Sequence, residues 1–417
     1  MKILVLTSRI PWPLDKGDKL RAYHQIAELG KRHDVYLFSL SESEPTSEAV
    51  ETLRGVTKGF KFHVLKAQPR FLRMVWSLAS SRPFQVHWFF QRQAQKTLFK
   101  WVGDIQPEVI YCQLIRMAEY IRDRHDIPRV LDYMDALSEG MKRRASLAPF
   151  WSKWLFLWEA NRLQRYEKRV FDYFDGSTII SEADQQLIAH PQRNRIVLVP
   201  NGVDVDFFSQ GQNFGGLKQA LPESDQRRVI LFTGNMSYPP NVDAAIRLAQ
   251  DVLPLIKTPN VHVVIAGTKP AHAVQNLASD RVTITGWLPD IRSAYQSAEV
   301  FVAPLRIGTG MQNKILEAMS MELPCVTTPH VMKGLVSKQL RKDQPPLLLA
   351  NAPSDFANHI DQILAQKEQA RGIARNSRMW IERNCSWSSQ VHQLENTLVN
   401  STQYQPEDST WKIKTSV

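Results

Sequence analysis

Short apolar runs rich in valine, isoleucine and leucine alternate with longer segments of helical periodicity along almost the whole chain. This alternation is typical of α/β proteins, in which parallel strands form a sheet and helices cover both faces. In the first half, strands are expected to start at Ile3, Val35, Phe62, Val109, Val130, Ser177 and Ile196. A second set is expected to start at Val229, Val261, Val282, Val300, Cys325 and Leu347. The pattern therefore predicts two separate parallel sheets.

The length of 417 residues also exceeds what one hydrophobic core usually organises. We predict one doubly wound, Rossmann-like domain over residues 1–208 and a second over residues 229–385. The glycine-rich, polar stretch 209–228 is predicted to contain the linker. Residues 386–403 are expected to form a last helix that can pack back on the first domain, and residues 404–417 a mobile tail. Two such domains would face each other across a cleft, with ligands at the carboxyl ends of the strands.

Composition excludes several classes of protein. Apolar residues make up 43% of the chain and charged residues 22%, which is the balance of a soluble globular protein. No apolar run reaches the length of a membrane-spanning helix, and the apolar part of the first residues is too short for a signal peptide, so a cytoplasmic location is expected. The three cysteines match neither a metal-binding spacing nor a disulfide framework.

The first half contains two basic regions rich in aromatic residues. The formal net charge is +11, and residues 61–100 include Lys and Arg but no Asp or Glu. Further on, Trp151, Trp154 and Trp158 recur at helical spacing after Arg143 and Arg144. Because a basic amphipathic helix can lie on an anionic bilayer, we predict that these five residues form a membrane surface. The alternative is a stripe that packs inside the domain. No nucleic-acid-binding module is visible, so nucleic acid is not an expected partner.

One corner between a strand and a helix combines several groups that bind anions. Gly308 and Gly310 follow the strand that starts at Val300, and a helical pattern follows them. Free N–H groups and the positive end of the helix dipole attract phosphate, which glycines allow to approach closely. Arg306 and Lys314 add positive charge, and the Glu317 carboxylate suits sugar hydroxyls. The corner therefore predicts a site for a nucleoside diphosphate, unless Lys314 and Glu317 are only a surface ion pair.

The chain resembles retaining GT-B glycosyltransferases of the glycosyltransferase group 1 family. More narrowly, it is similar to the bacterial sugar transferases associated with PEP-CTERM/exosortase exopolysaccharide systems. The resemblance extends over nearly the whole chain and is carried by PWPLDKGDKLRAYH, VLDYMDALSEGM, STIISEAD, VPNGVDVDFF, FTGNMSYPPNVDA, ITGWLPDIR and PLRIGTGMQNKILEAM. It implies a sugar nucleotide held mainly by the C-terminal domain, an acceptor met mainly by the N-terminal domain, and retention of the anomeric configuration.

Together, the resemblance and the loop chemistry indicate a set of donor-binding residues. The region of Gly286 and Trp287 is where the family places the nucleotide base, largely through main-chain contacts, so the base itself stays open. The full set is Gly17, Gly234, Asn235, Gly286, Trp287, Gly308, Thr309, Gly310, Met311, Asn313, Lys314 and Glu317.

Two departures from the family pattern change the expected roles. The family has paired glutamates seven residues apart, but here Thr309 replaces the first and Glu317 is the second. Many relatives also carry an arginine and a lysine after the first strand of the second domain, and GNMSYPPN contains neither. Arg306 and Lys314 are therefore the expected catalytic cations for the leaving diphosphate.

On the acceptor side, we expect Arg21, Asp132 and Asp135, with Asp135 orienting the acceptor. Many relatives have a histidine in the loop after the strand that starts at Val130, and this loop has none. In front-face transfer the departing phosphate can take the acceptor proton, so a protein base is not required. Asp204 and Asp206 have the spacing of a metal-binding pair but lie in the NGVD block, where a structural role is expected. No metal or other cofactor is predicted.

These observations predict a retaining glycosyltransferase on the inner face of the plasma membrane. It would move a sugar from a nucleoside-diphosphate sugar to a polyprenyl-linked exopolysaccharide precursor. Two alternatives remain open: a GT-B sugar-nucleotide epimerase, which would convert the donor without an acceptor, and a non-catalytic protein that keeps the fold for binding. Donor sugar, linkage and oligomeric state are left open.

Overall fold

The computed structural model describes residues 1–65, 80, 82–211, 214, 217, 227–306, 312–335 and 345–403. The chain divides into two compact units. The first consists of Met1–Asn201 together with the C-terminal segment that starts at Gln390, and the second of Gly202–Ser389. The predicted α/β class is confirmed, because each unit is built on its own parallel sheet.

The first unit contains a seven-stranded parallel sheet with the order β3-β2-β1-β4-β5-β6-β7. Its strands are β1 Lys2–Thr7, β2 Asp34–Ser41, β3 Gly59–Val64, β4 Val109–Gln113, β5 Arg129–Asp132, β6 Gly176–Ile179 and β7 Val197–Leu198. In register, Ile3 of β1 lies opposite Val35 of β2 and Val109 of β4. The chain moves outward from β1 to β3 and then returns to β4 on the other side of β1. The switch point of this sheet is therefore the crevice between the carboxyl ends of β1 and β4.

Helices connect these strands. They are α1 Gly17–Gly30, α2 Ser47–Val56, α3 Phe84–Phe89, α4 Arg92–Ile105, α5 Leu137–Leu147, α6 Phe150–Phe171 and α7 Glu182–Leu187, with 3-10 turns at Ile115–Tyr120 and Arg193–Arg195. The inner strands β4 and β5 are buried throughout, as expected for a sheet covered on both faces. Helices α5 and α6 are joined by two residues and pack along each other.

The second unit contains a six-stranded parallel sheet with the order β10-β9-β8-β11-β12-β13. The strands are β8 Arg228–Thr233, β9 Val261–Ala266, β10 Val282–Gly286, β11 Val300–Ala303, β12 Cys325–Thr327 and β13 Leu348–Leu349. The same outward and return path places its switch point between the carboxyl ends of β8 and β11. All the strands predicted from sequence are thus present, and each sheet packs against its own buried core.

The helices of the second unit, and the helix that follows it, complete the fold. They are α8 Pro239–Ile246, α9 His272–Gln275, α10 Arg292–Ser297, α11 Asn313–Ser320, α12 Pro329–Leu335, α13 Pro353–Ala365, α14 Lys367–Asn384 and α15 Trp387–Gln403. A π-helical turn at Arg247–Val252 and a 3-10 turn at Leu253–Leu255 extend α8. The Ser386 hydroxyl accepts from the Ser389 N–H at 3.2 Å and so caps the start of α15. Glu395 of α15 accepts from the Arg32 guanidinium at 2.7 Å.

Candidate functional site

The carboxyl end of β8 comes close to the start of α11 at the switch point of the second unit. Gly234, directly after β8, has a φ of 154°. A Cβ atom at this position would lie 2.7 Å from Nδ2 of Asn241 and 3.0 Å from Nζ of Lys314. A larger residue at 234 would therefore displace the Asn241 amide and press on the Lys314 ammonium. Glycine is favoured here by this close approach and by its φ, which other residues rarely adopt.

Lys314 lies in the first turn of α11, and its ammonium group is held by neutral partners. Its Nζ donates a hydrogen bond to Oδ1 of Asn241, whose Nδ2 donates to the Asn235 carbonyl at 2.9 Å. The Nζ atom also lies 5.0 Å from the centre of the Phe232 ring. Burial lowers the pKa of Lys314 to about 8, while the negative charge of Glu317 opposes this shift. A cation that is half buried among neutral groups is well suited to bind an anion.

The Glu317 carboxylate, one turn further along α11, is held in place by a hydroxyl pair. Its Oε2 accepts from the Tyr295 hydroxyl at 2.8 Å, and that hydroxyl in turn lies 2.9 Å from Oγ1 of Thr233. Burial raises the pKa of Glu317, and the Tyr295 hydrogen bond and the charge of Lys314 oppose this shift. Among the residues that the structure describes, none donates a hydrogen bond to the other carboxylate oxygen, so that oxygen can accept from a ligand hydroxyl.

Arg306 occupies a different environment from Lys314. It follows β11, its side chain is 56% exposed, and its guanidinium forms an ion pair with Asp243 of α8. Its Nε atom donates to Oδ2 of Asp243 at 3.1 Å. This hydrogen bond raises the pKa of Arg306. An incoming diphosphate would therefore share Arg306 with Asp243.

The N-terminus of α11 lacks a cap from its own N-cap side chain, because Gln312 forms no capping hydrogen bond. Asn313, the first residue of the helix, is exposed. The Ile315 N–H donates to the Gln312 carbonyl at 3.0 Å, so among the described residues the N–H groups of Asn313 and Lys314 are the ones left for an anion. The predicted donor residues Gly308, Thr309, Gly310 and Met311 lie outside the described residues.

Other predicted donor residues lie on loops of the same unit. Asn235 is exposed, and its Oδ1 accepts from the N–H and hydroxyl of Ser237 at 3.0 and 2.8 Å, which organises the turn before α8. Gly286 ends β10 with a φ of 67°, and the Trp287 side chain is 67% exposed. Gly17, in contrast, belongs to the first unit, where it begins α1.

Comparison with known families identifies the domain that carries this site. Residues 227–366 match the family model described as "Glycosyl transferases group 1". The second unit carries a group 1 glycosyltransferase domain. The switch point, Lys314 and Glu317 all lie within the matched residues of this glycosyltransferase domain.

Two curated relatives match part of the chain. The UDP-Gal:alpha-D-GlcNAc-diphosphoundecaprenol alpha-1,3-galactosyltransferase of Escherichia coli is 29% identical over 143 residues, which cover 32% of this chain and 36% of that protein. Putative glycosyltransferase YtcC of Bacillus subtilis is 25% identical over 239 residues, which cover 52% of this chain and 58% of YtcC. The chain thus spans about a third and somewhat more than half of these two relatives.

The fold is shared with solved structures that align over almost the whole chain. The crystal structure of Anabaena Alr3699/HepE in complex with UDP aligns with a TM-score of 0.64, over 96% of this chain and 100% of that chain, at 15% identity. At such low identity the likeness concerns the fold. The two parallel-sheet units are those of GT-B glycosyltransferases, and the predicted fold class is confirmed.

In the first unit, Arg21 and Asp132, which were predicted on the acceptor side, lie in the interior. Both side chains are 0% exposed and form an ion pair, with Nε of Arg21 2.7 Å from Oδ2 of Asp132. Asp132 also accepts hydrogen bonds from the hydroxyls of Tyr111 and Thr178, each at 3.0 Å. Arg21 donates a further bond to Asn201 at 3.0 Å. These partners hold the two residues at the strand ends, and the acceptor-side role predicted for them stays a prediction.

Asp135 lies beyond the end of β5 and is half buried. The preceding residue, Met134, has a φ of 62°, which turns the chain sharply after the strand. Burial raises the pKa of Asp135 and Asp184 raises it further, whereas Arg116 and Arg143 lower it. The prediction for Asp135 on the acceptor side therefore stands as a prediction, with arginines close by.

The five residues of the predicted membrane surface fall into two environments. Arg143 and Arg144 are exposed, and Trp151 and Trp154 expose 68% and 65% of their surface. Trp158 differs, because its ring packs on Phe84 at 5.2 Å and on the Arg162 guanidinium at 4.4 Å. It therefore belongs to the attachment of α6 to the unit. Phe150, which sequence reasoning omitted, is 89% exposed. Among the described residues, no helix combines the length and hydrophobicity needed to cross a bilayer.

Several residues of the site were not predicted from the sequence. Asn241 and Asp243 hold Lys314 and Arg306, and Thr233 and Tyr295 hold Glu317. Three of these lie within the quoted FTGNMSYPPNVDA block, but their partners are between about sixty and eighty residues away in sequence. Asp204, expected to be structural, accepts from the N–H groups of Asp206 and Phe207 at 3.2 and 2.9 Å and so stabilises a turn.

Proposed function

We propose that the protein is a retaining glycosyltransferase that uses a nucleoside-diphosphate sugar as donor and needs no metal or other resident cofactor. The observation that carries this proposal is the Lys314 ammonium, which is half buried among neutral partners beside an uncapped helix start in the matched domain. As the bond to the sugar breaks, negative charge grows on the diphosphate. Lys314, Arg306 and the first N–H groups of α11 would stabilise that charge. Glu317 would bind donor hydroxyls through the oxygen that Tyr295 leaves free.

For the acceptor, we propose a polyprenyl-linked glycan that serves as a precursor of an exopolysaccharide of the PEP-CTERM-associated kind. The name of the Escherichia coli relative, which describes a diphosphoundecaprenol-linked sugar, supports this class of acceptor. Asp135 would orient the acceptor hydroxyl in the first unit. The departing phosphate would receive the proton from that hydroxyl, so that no separate protein base is needed.

We also propose that the protein acts on the cytoplasmic face of the plasma membrane, as a peripheral protein. The exposed aromatic side chains at the start of α6 and the exposed arginines of α5 support this location. Aromatic rings of this kind settle among lipid headgroups, and arginines are attracted by anionic lipids.

The first experiment tests the donor. Thermal melting of the purified protein is measured with UDP, GDP and ADP and with the corresponding nucleoside-diphosphate sugars. One of these nucleotides is expected to raise the melting temperature. Lys314→Ala should remove that increase and abolish sugar transfer without lowering the melting temperature of the free protein. Lys257→Ala is the matched control, because Lys257 is an exposed lysine of the same unit. It precedes β9 and so lies at the amino ends of the strands, whereas the candidate site lies at their carboxyl ends.

The outcome also separates the alternatives. Conversion of the donor without any acceptor would mean an epimerase. Nucleotide binding without reaction towards any lipid-linked acceptor would favour a non-catalytic protein. If Lys314→Ala binds the best nucleotide as well as the parent does, the proposed site is wrong.

A further inference from the structure

The switch point of the first unit is also lined by cationic side chains. Arg9 follows β1 and Arg116 follows β4, the two parallel strands at which the order of strand addition reverses. Both guanidinium groups lie over the ring of Phe89 on α3, at 5.9 and 5.2 Å from its centre. Two arginines that start on different strands are thus gathered at one aromatic ring, and we call Arg9, Arg116 and Phe89 the arginine crevice.

Arg116 is half buried, and its charge is not matched by a carboxylate. Its Nε and Nη2 atoms donate to Oε1 of Gln85 at 3.0 and 2.7 Å, which is a neutral acceptor. Among the residues that the structure describes, no carboxylate forms an ion pair with Arg116. Burial, with the charges of Arg9 and Arg144, lowers the pKa of Arg116 to about 10, although the charges of Asp18 and Asp135 oppose this shift. A buried charge without a counter-charge is unfavourable, so this arrangement favours an added anion.

Positive charges also outnumber negative charges around the arginine crevice. Arg9 is already paired with Asp18 at 2.7 Å, with 35% of the arginine side chain exposed. Asp135 and Asp184 supply the other nearby carboxylates. Among the described residues, four arginines stand against these three carboxylates, namely Arg9, Arg116, Arg143 and Arg144. Two of these, Arg143 and Arg144, lie on α5, which leads within two residues into the exposed aromatic start of α6.

From these contacts we infer that the arginine crevice binds a phosphate or diphosphate group, and that this group belongs to the acceptor. Planar guanidinium groups match the oxygens of phosphate in pairs, and the Phe89 ring holds both of them in place before the ligand arrives. The existence of the anion site rests on the geometry of the first unit alone. Its assignment to the acceptor rests on the proposed function, in which the acceptor carries a polyprenyl diphosphate.

The test uses the full chain with Lys314→Ala, so that the proposed donor site is already weakened. Geranyl diphosphate, inorganic pyrophosphate and inorganic phosphate are titrated separately by calorimetry. Geranyl diphosphate is expected to bind at one site, and Arg116→Gln and Arg9→Gln should each weaken its binding at least tenfold. The matched control is Arg124→Gln, since the Arg124 guanidinium also lies over an aromatic ring, 5.3 Å from the centre of Phe99. Arg124 precedes β5 and so lies at the amino ends of the strands, away from the arginine crevice.

Each result has a defined meaning. Tighter binding of geranyl diphosphate than of pyrophosphate supports a lipid-linked diphosphate, and equal binding of both supports the anion site with recognition of the diphosphate alone. Absence of binding by the Lys314→Ala chain, or equal binding by the Arg9→Gln and Arg116→Gln variants and their parent, overturns the inference. If Arg116→Gln does not fold, Arg9→Gln still decides, because the Arg9 side chain is partly exposed, at 35%. Failure of the donor site would appear separately, as unchanged nucleotide binding by Lys314→Ala.

Discussion

At the scale of single residues, the protonation of Lys314 has a measurable consequence. The pKa of Lys314 in the free protein is lowered to about 8, so the ammonium loses its proton as pH rises through that value. The diphosphate stays fully ionised over this range, since its last proton leaves near pH 6. We therefore expect the affinity for the preferred nucleoside diphosphate to fall about tenfold between pH 7 and pH 9. Calorimetric titration across this range measures the change.

The control for this pH dependence is Lys314→Arg, because a guanidinium remains charged throughout the range. Its affinity, whatever its absolute value, should vary much less with pH. An equally flat profile for the parent protein would contradict the role given to the Lys314 proton. Arg306 is expected to contribute less than Lys314, since it is exposed and shares its charge with Asp243.

At the scale of elements, the pairing of α5 with α6 depends on one buried carboxylate. Glu167 of α6 accepts hydrogen bonds from the N–H and hydroxyl of Ser138 at 2.9 and 2.6 Å, and so caps the start of α5 from the neighbouring helix. Burial nevertheless raises the pKa of Glu167 to about 7 from its ordinary 4.5. Desolvation of the carboxylate therefore outweighs the hydrogen bonds that favour its charge.

This raised pKa predicts a stability that declines with pH. Between pH 4.5 and 7 the folded chain holds a proton that the unfolded chain has released, so the free energy of unfolding falls as pH rises through this window. The loss is about 3 kcal/mol at most. Glu167→Gln should remove this part of the pH dependence in thermal melts of the first unit between pH 5 and 8. Glu51→Gln, which alters an exposed glutamate of α2 in the same unit, should leave it in place. Parallel pH profiles for Glu167→Gln and the parent would refute the assignment.

At the scale of the whole molecule, the net charge of +11 and the exposed start of α6 predict binding to anionic vesicles. Arg143→Glu combined with Arg144→Glu should reduce co-sedimentation with phosphatidylglycerol vesicles several-fold at low salt, where Coulomb attraction is least screened. Lys367→Glu combined with Arg371→Glu changes the net charge equally on exposed residues of the second unit. Equal losses from both pairs would mean that only net charge matters, which would count against a specific membrane surface.

The sequence by itself determined the fold class and the place of the candidate donor site. Apolar runs alternate with helical periodicity because strands and helices bury their residues at different intervals, so every strand start could be predicted closely. Glycine, arginine and lysine after the strand at Val300 identified the corner near Lys314 because a helix start and its neighbouring charges are local in sequence.

Only the tertiary structure decided which side chains are available to a ligand. Arg21 and Asp132 are 111 residues apart in sequence and bind each other in the interior, which no local pattern reveals. Asn241 contacts Lys314, and Tyr295 contacts Glu317, across similar gaps in the sequence. Trp158 likewise packs on the distant Phe84. Arg9 and Arg116 meet at Phe89 because β1 and β4, which are far apart in sequence, are neighbours in the sheet. Contacts between distant segments are set by strand order and burial, and these arise only when the chain folds.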